Sequence, residues 1–432
     1  MMASAGLSLE QAPPVSVPLR FFLTAPLFAL LAALLLLFSG PAALASRWSP
    51  ALLAVTHLLT LGFITMSMMG TLLQMLPVLA GSAVKQPRLV AWLVHVPLSA
   101  GILLLASGLA AGWKIGMLAS LPLLAWAMLT FILVAAYSLV RTTARNATIS
   151  AMRLALGALA VTALLGFTLV AILTGHAALP ALKLTDLHAA WGLLGWVGAL
   201  IIGVAYQVVP MFQMTPPYAT HITAWRMPVF FIMLLIWSFT AWWAEDRAKW
   251  VALTGLAPIL AGFALATLSL QRKRRRRAPD ITSQFWRLGM ASLLTASGIW
   301  LVAQFNPALS AAAFYPLWLG MLWIMGFAMS VINGMLYKIV PFLIWLHLQS
   351  RRPPRGAVPN TKEIIPDKMA RRQLSAHVAA LALLLCATVL PSPLVYMAAA
   401  AWCASCALLA WNVFGAYRLY RRLAANASSQ SA

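Results

Sequence analysis

Acidic side chains are nearly missing from this chain: seven Asp and Glu stand against 30 Lys and Arg in 432 residues. All seven (Glu10, Asp186, Glu245, Asp246, Asp280, Glu363 and Asp367) fall at chain ends or in expected loops. An apolar stretch without a carboxylate offers no acid for a proton relay, which argues against a proton-coupled carrier and against a pumping oxidase. Cysteine is scarce too. Cys386, Cys403 and Cys406 lie near the C-terminal end, and three thiols build no disulfide framework. Cys403 and Cys406 share a helical face, as small packing residues or as a redox pair. Walker, Rossmann and zinc-protease motifs are absent, which removes the commonest nucleotide and hydrolase chemistries.

What the chain has in excess is apolar length. Hydrophobic residues make up 62% of it and charged residues 9%, with a mean hydropathy of +0.89. A soluble protein of this composition would lack the polar surface to stay dissolved. A bilayer core needs roughly 20 apolar residues per helix, and twelve such runs are expected, near 20–40, 50–80, 89–110, 114–138, 153–175, 187–214, 226–244, 249–270, 287–305, 313–347, 373–391 and 393–417. Only helices satisfy every backbone group in lipid among such runs. The expected fold is therefore an all-α polytopic membrane protein, with cytoplasmic tails over 1–19 and 418–432 flanking one transmembrane domain over 20–417. The first eighteen residues do not read as a signal peptide.

The net charge of +23 is explained by where the cations fall. With the N-terminus inside, the cytoplasmic loops and ends hold 24 of the 30 basic residues, including Lys85, Arg88, Arg141, Arg145, the run Arg272 to Arg277, Arg351 to Arg355 and Arg418 to Arg422. The opposite side holds Arg47, Lys114, Lys183, Arg247 and Lys249. This asymmetry predicts an inner-membrane protein of bacterial type with both termini inside. The basic loops are expected to meet anionic lipid headgroups, and with no aromatic residues interleaved they do not read as a nucleic-acid surface.

The long even-numbered spans repeat one another. Leu61 to Pro77 reads LGFITMSMMGTLLQMLP, and Leu194 to Pro210 reads LGWVGALIIGVAYQVVP, 133 residues on. Met325 to Pro341 reads MGFAMSVINGMLYKIVP, a further 131 on. Gly70, Gly203 and Gly334 correspond, as do Pro77, Pro210 and Pro341. A period near 132 residues holds four spans, so the expected arrangement is three four-helix repeats, over about 20–145, 146–280 and 281–417, in a pseudo-threefold bundle. Glycines along one face let helices approach closely. Gln74, Gln207 and Lys338 take equivalent places near the cytoplasmic end, either meeting around a common axis or, for Lys338, snorkelling to the headgroups.

Histidine supplies the chemistry that carboxylates do not. Neutral imidazole is the commonest metal ligand and the cheapest titratable group to bury. His57 in the second span and His188 at the start of the sixth are the candidates, each also readable as a packing residue bonded to a carbonyl. His95 and His377 read as structural. Aligned through the repeat, His57 corresponds to Ala190 and Met321, and His188 to Val55 and Leu319. The two histidines then lie two positions apart in register, on faces about 200° apart, which suits two separate sites as well as one.

The segment from His57-Leu-Leu-Thr-Leu-Gly-Phe through Gly70-Thr-Leu-Leu to Pro77 and Gly81 resembles the signature helix of the NnrS family. That family comprises twelve-span haem- and copper-containing membrane proteins linked to nitric oxide stress and denitrification. The threefold arrangement is similar to the core subunit of haem–copper oxidases and nitric oxide reductases, whose ligating histidines come from spans two, six, seven and ten. The resemblance implies His57 and His188 as ligands to haem or copper, with Met321 as a further haem-ligand candidate beside its packing role. Spans seven and ten lack the His-His and His-x-His pairs, so a complete haem–copper centre is not expected. The leading expectation is a haem-binding membrane protein of nitric oxide or respiratory redox homeostasis, with respiratory-chain or denitrification proteins as partners. The rivals are a permease for a small solute and a cofactor-free assembly partner of respiratory enzymes.

Overall fold

The computed structural model describes residues 12–81, 84–275, 280–350 and 358–429. Arg276, Arg277, Arg351, Arg352, Arg355 and Glu10 lie outside them. Among the described residues, eleven helices are long and apolar enough to cross a membrane. They are α1 (Ser16–Leu44), α2 (Pro50–Val78), α3 (Pro87–Ala111), α4 (Lys114–Arg141), α5 (Ala147–Thr174), α6 (Ala181–Gln213), α7 (Thr220–Trp243), α8 (Arg247–Arg272), α9 (Ile281–Ala303), α10 (Phe314–Gln349) and, after an intervening helix, α12 (Leu394–Ala425). The intervening helix, α11 (Asp367–Ala387), occupies the expected eleventh span. Its 21 residues are long enough to cross, at about 1.5 Å each. Its first turns carry Lys368, Arg371, Arg372 and the buried Gln373 and His377, so its apolar stretch is shorter than that of its neighbours. The chain is thus a polytopic helical protein built for a membrane.

The helix ends follow local chemistry. Asn146 and Asp280 cap α5 and α9 by accepting from the backbone N–H groups of Ile149 and Ser283, which satisfies donors that the first turn leaves free. Gly112 and Gly175 close α3 and α5 in the left-handed conformation, which glycine adopts without steric cost. The last helix runs on past Ala425 to Ser429, and Arg418, Arg421 and Arg422 lie within it.

The helices form a ring around three inner ones. α1 packs on α2, α5 on α6 and α9 on α10, while α4 packs on α5, α8 on α9 and α12 back on α1. The inner α2 and α6 both touch α10. Each inner helix opens into a π-helical segment, at Leu58–Thr65, Trp191–Gly198 and Leu322–Met329. These start 133 and 131 residues apart, the spacing of the sequence repeat. Close approach needs glycine at the same places. A side chain on Gly70 would meet Phe21 and Phe22, one on Gly203 would meet Ala151, and one on Gly334 would meet Phe285. Thr148 donates to the carbonyl of Gly203 at 2.9 Å, and Thr282 donates to that of Gly334 at 3.0 Å.

Candidate functional site

His57 is the last α-helical residue before the π segment of α2, and His188 lies three residues before that of α6. A π turn loosens the regular backbone bonding and recurs at functional positions. The two imidazoles meet. Their ring centres are 6.2 Å apart and their planes differ by 20°, so the register on opposite faces does not separate them. His57 Nδ1 donates to the carbonyl of Leu53 at 2.7 Å, and His188 Nδ1 to that of Thr162 at 3.0 Å. A carbonyl only accepts, so each Nδ1 carries the proton and each Nε2 keeps its lone pair. Neither Nε2 is bonded to another described group.

Both rings line a cavity of about 220 Å³ between α2 and α6, walled also by α3, α4 and α5. Its walls are leucine, valine and phenylalanine, with threonines at intervals. Thr60, Thr162 and Thr185 spend their hydroxyl protons on carbonyls one turn back in their own helices, which leaves the space mainly apolar. Trp196 Nε1 donates to Thr65 Oγ1 at 3.0 Å across one end of the cavity. Gly166 leaves room for His188: a Cβ there would stand 3.0 Å from the ring's Cε1. Toward the chain reversals at the same end of the bundle, Arg47 pairs with Asp186 at 2.9 Å.

The donor set is two imidazoles, each with its Nδ1 committed to a carbonyl. Ligating histidines commonly donate their second N–H to a carbonyl, which fixes the tautomer and the ring direction. No carboxylate or thiolate lines the cavity, and among the described residues no group of three or more His, Cys, Asp or Glu gathers anywhere.

The other expected positions separate. Met321 ends a short helical stretch of α10, half-buried against the core, and the histidine cavity does not include it. Gln74 and Gln207 line one cavity together. Lys338 turns away from them and bonds Asp280 at 3.0 Å. Burial pushes the Asp280 carboxyl up, but hydrogen bonds from Ser283 and the nearby Lys338 outweigh it and hold the group below the usual carboxylate range. His95 Nε2 bonds Thr24 Oγ1 at 2.9 Å, and its ring meets Phe21 edge-on.

One polar seam was not foreseen from the sequence. Ser330, Asn333 and Tyr337 on α10 face α11 and α12 and are buried. His377 Nε2 reaches Ser330 Oγ at 3.0 Å and the carbonyl of Met325 at 3.2 Å. Asn412 donates to Tyr337 at 2.9 Å, and Gln373 to Ser405 at 2.9 Å. The i, i+3, i+7 spacing of the α10 residues was the available signal. Protein-family models give no match to this chain, and neither do the curated proteins.

Proposed function

We propose that this protein binds haem in its membrane domain, with His57 and His188 as the ligand pair. The observation that carries the reading is the pair itself: two near-parallel imidazoles 6.2 Å apart, each anchored through Nδ1, beside an apolar cavity. The chain's own part is to hold both rings in one tautomer, to exclude water with its aliphatic walls, and to admit a flat group past Gly166 and Gly192. Bound haem would supply one-electron or diatomic-gas chemistry. Copper is the other metal that two neutral imidazoles suit. Nitric oxide or respiratory redox homeostasis is the context that the likeness of the His57–Gly81 segment suggests.

The near-equal spacing of the π segments on the three inner helices and the repeated threonine-to-glycine bonds support reading the ring as three quartets. The basic-residue asymmetry supports both termini on the cytoplasmic side of a bacterial inner membrane, with α11 as a twelfth crossing. Reporter fusions test this: a C-terminus outside would remove α11 as a span.

The decisive measurement is spectroscopic. Purified protein should show a Soret band and a pyridine haemochrome, with metal analysis separating iron from copper. Colourless, metal-free protein from haem-replete cells would sink the proposal and promote the permease and assembly-partner readings.

A further inference from the structure

On the axis between α2, α6 and α10 lie two cavities of about 70 and 90 Å³. Thr71, Met75, Val208 and Ile339 belong to the walls of both, so the two abut end to end. Neither borders His57 or His188. No charged side chain lines them, and the body of the space is methionine and branched aliphatic. Methionine conforms to irregular apolar guests.

The polar groups are few and sit at two levels. Ser67 and Trp286 line the deeper cavity, at 2% and 1% exposure. Gln74 lines the shallower one at 9% exposure, with Gln207 beside it. Ser67 Oγ, Trp286 Nε1 and Gln74 Oε1 are all buried without a hydrogen-bond partner. Burying such a group unpaired is costly, so three around one space mark it as built for a polar guest. Trp286 Nε1 can only donate, while the Gln74 carbonyl only accepts. Ser67 and Gln74 are seven residues apart on α2, about 10 Å along a helix. The complement is a guest with an apolar middle, an oxygen acceptor at one end and a hydroxyl donor at the other.

We propose that the axial cavity binds a quinone-class ring, a benzoquinol or naphthoquinol or its half-oxidised pair. One ring oxygen meets Trp286 and Ser67, the opposite hydroxyl meets Gln74, and the flat ring packs among Met75, Val208 and Met335. A long-chain alcohol shares the apolar body and one hydroxyl but has nothing to offer the second end. The proposal stands independently of haem.

Photolabelling of the full-length protein in detergent with an azido-benzoquinone, followed by peptide mapping, tests it. Label should concentrate on α2, α6 and α10 and fall several-fold with excess decyl-benzoquinol. Gln74→Leu and Trp286→Phe should each weaken competition about tenfold, while Ser107→Ala, on the exposed side of α3, leaves labelling unchanged. Val204→Phe fills the space from its wall and should abolish labelling with the helical content retained. Label spread over lipid-facing peptides of α3 and α7, labelling that survives Val204→Phe, or competition by dodecanol equal to that by the quinol would each overturn it.

Discussion

The bundle buries histidine in two contrasting ways. Between α2 and α6, His57 and His188 each spend Nδ1 on a carbonyl and keep Nε2 out of the protein's own bonding, beside open space. Between α10 and α11, His377 does the reverse. Its Nε2 is tied to Ser330 and to a carbonyl, and its Nδ1 is enclosed with no partner. The first arrangement leaves a lone pair uncommitted, and the second uses the ring as a strut between helices. Which nitrogen is bonded sets the two arrangements apart.

The strongest test of this contrast exchanges the two classes. His57→Ala or His188→Ala should lower haem occupancy at least tenfold, read from the pyridine haemochrome, while the protein still inserts. His377→Ala should leave occupancy intact and lower the melting temperature. Equal loss from all three would erase the distinction. A milder probe moves a ring without removing it. Gly166→Val presses on His188, and loss of such orienting support typically costs 10–100-fold in metal affinity. An absorption band unchanged in position and intensity would show that the site does not depend on the room Gly166 leaves for His188.

On the seam side the effects concern stability. Ser330→Ala removes one of the two partners of His377 and should cost about 1 kcal/mol. Asn333 is fully buried, and neither its Nδ2 nor its Oδ1 has a partner. Asn333→Leu should therefore be neutral or stabilising, since an unpaired amide gains nothing from burial. Marked destabilisation in thermal melts would mean that the seam holds water on that side chain.

The smallest effect lies at the start of α9. Asp280 has its carboxyl held below the usual range. Its contribution is therefore complete above an unfolded-state value of about 3.9 and lost as pH falls through the lower native value. Melting curves should show this acid dependence, and Asp280→Asn should flatten it. An identical acid slope in the variant would assign the effect to other carboxylates.

Much of this was legible in the chain. Apolar run length located the spans, and the Gly and Pro spacing marked the inner helices, because lipid leaves one backbone solution and close packing leaves one small residue. His57 and His188 stood out by position. Their meeting did not, because register on a repeat says nothing about which flanks two neighbouring helices present to each other. Side-by-side helices running the same way offer opposite flanks, so residues on opposite faces of corresponding helices are the ones that touch. Lys338 was readable as cationic but not as the partner of Asp280, 58 residues away. α11 was read as an ordinary span because its apolar half is continuous, while Gln373 and His377 needed partners on α10 and α12 to explain their burial.

The π segment of α2 lets one rod serve two rooms. Ahead of it, His57 looks into the flank cavity; just past it, Ser67, Thr71 and Gln74 look onto the axis. A π stretch accommodates about one residue more than the α-helix it interrupts, and each residue turns the helix by roughly 100°. Deleting a single residue from Leu58–Thr65 would thus shorten the chain by less than 1% yet swing the whole lower half of α2, taking the axial groups off the axis while His57 stayed in place. The corresponding deletion in Trp191–Gly198 would do the same to Gln207. One-residue gaps at these points are therefore re-aiming events, and a relative carrying such a gap would keep its histidines and have a different centre.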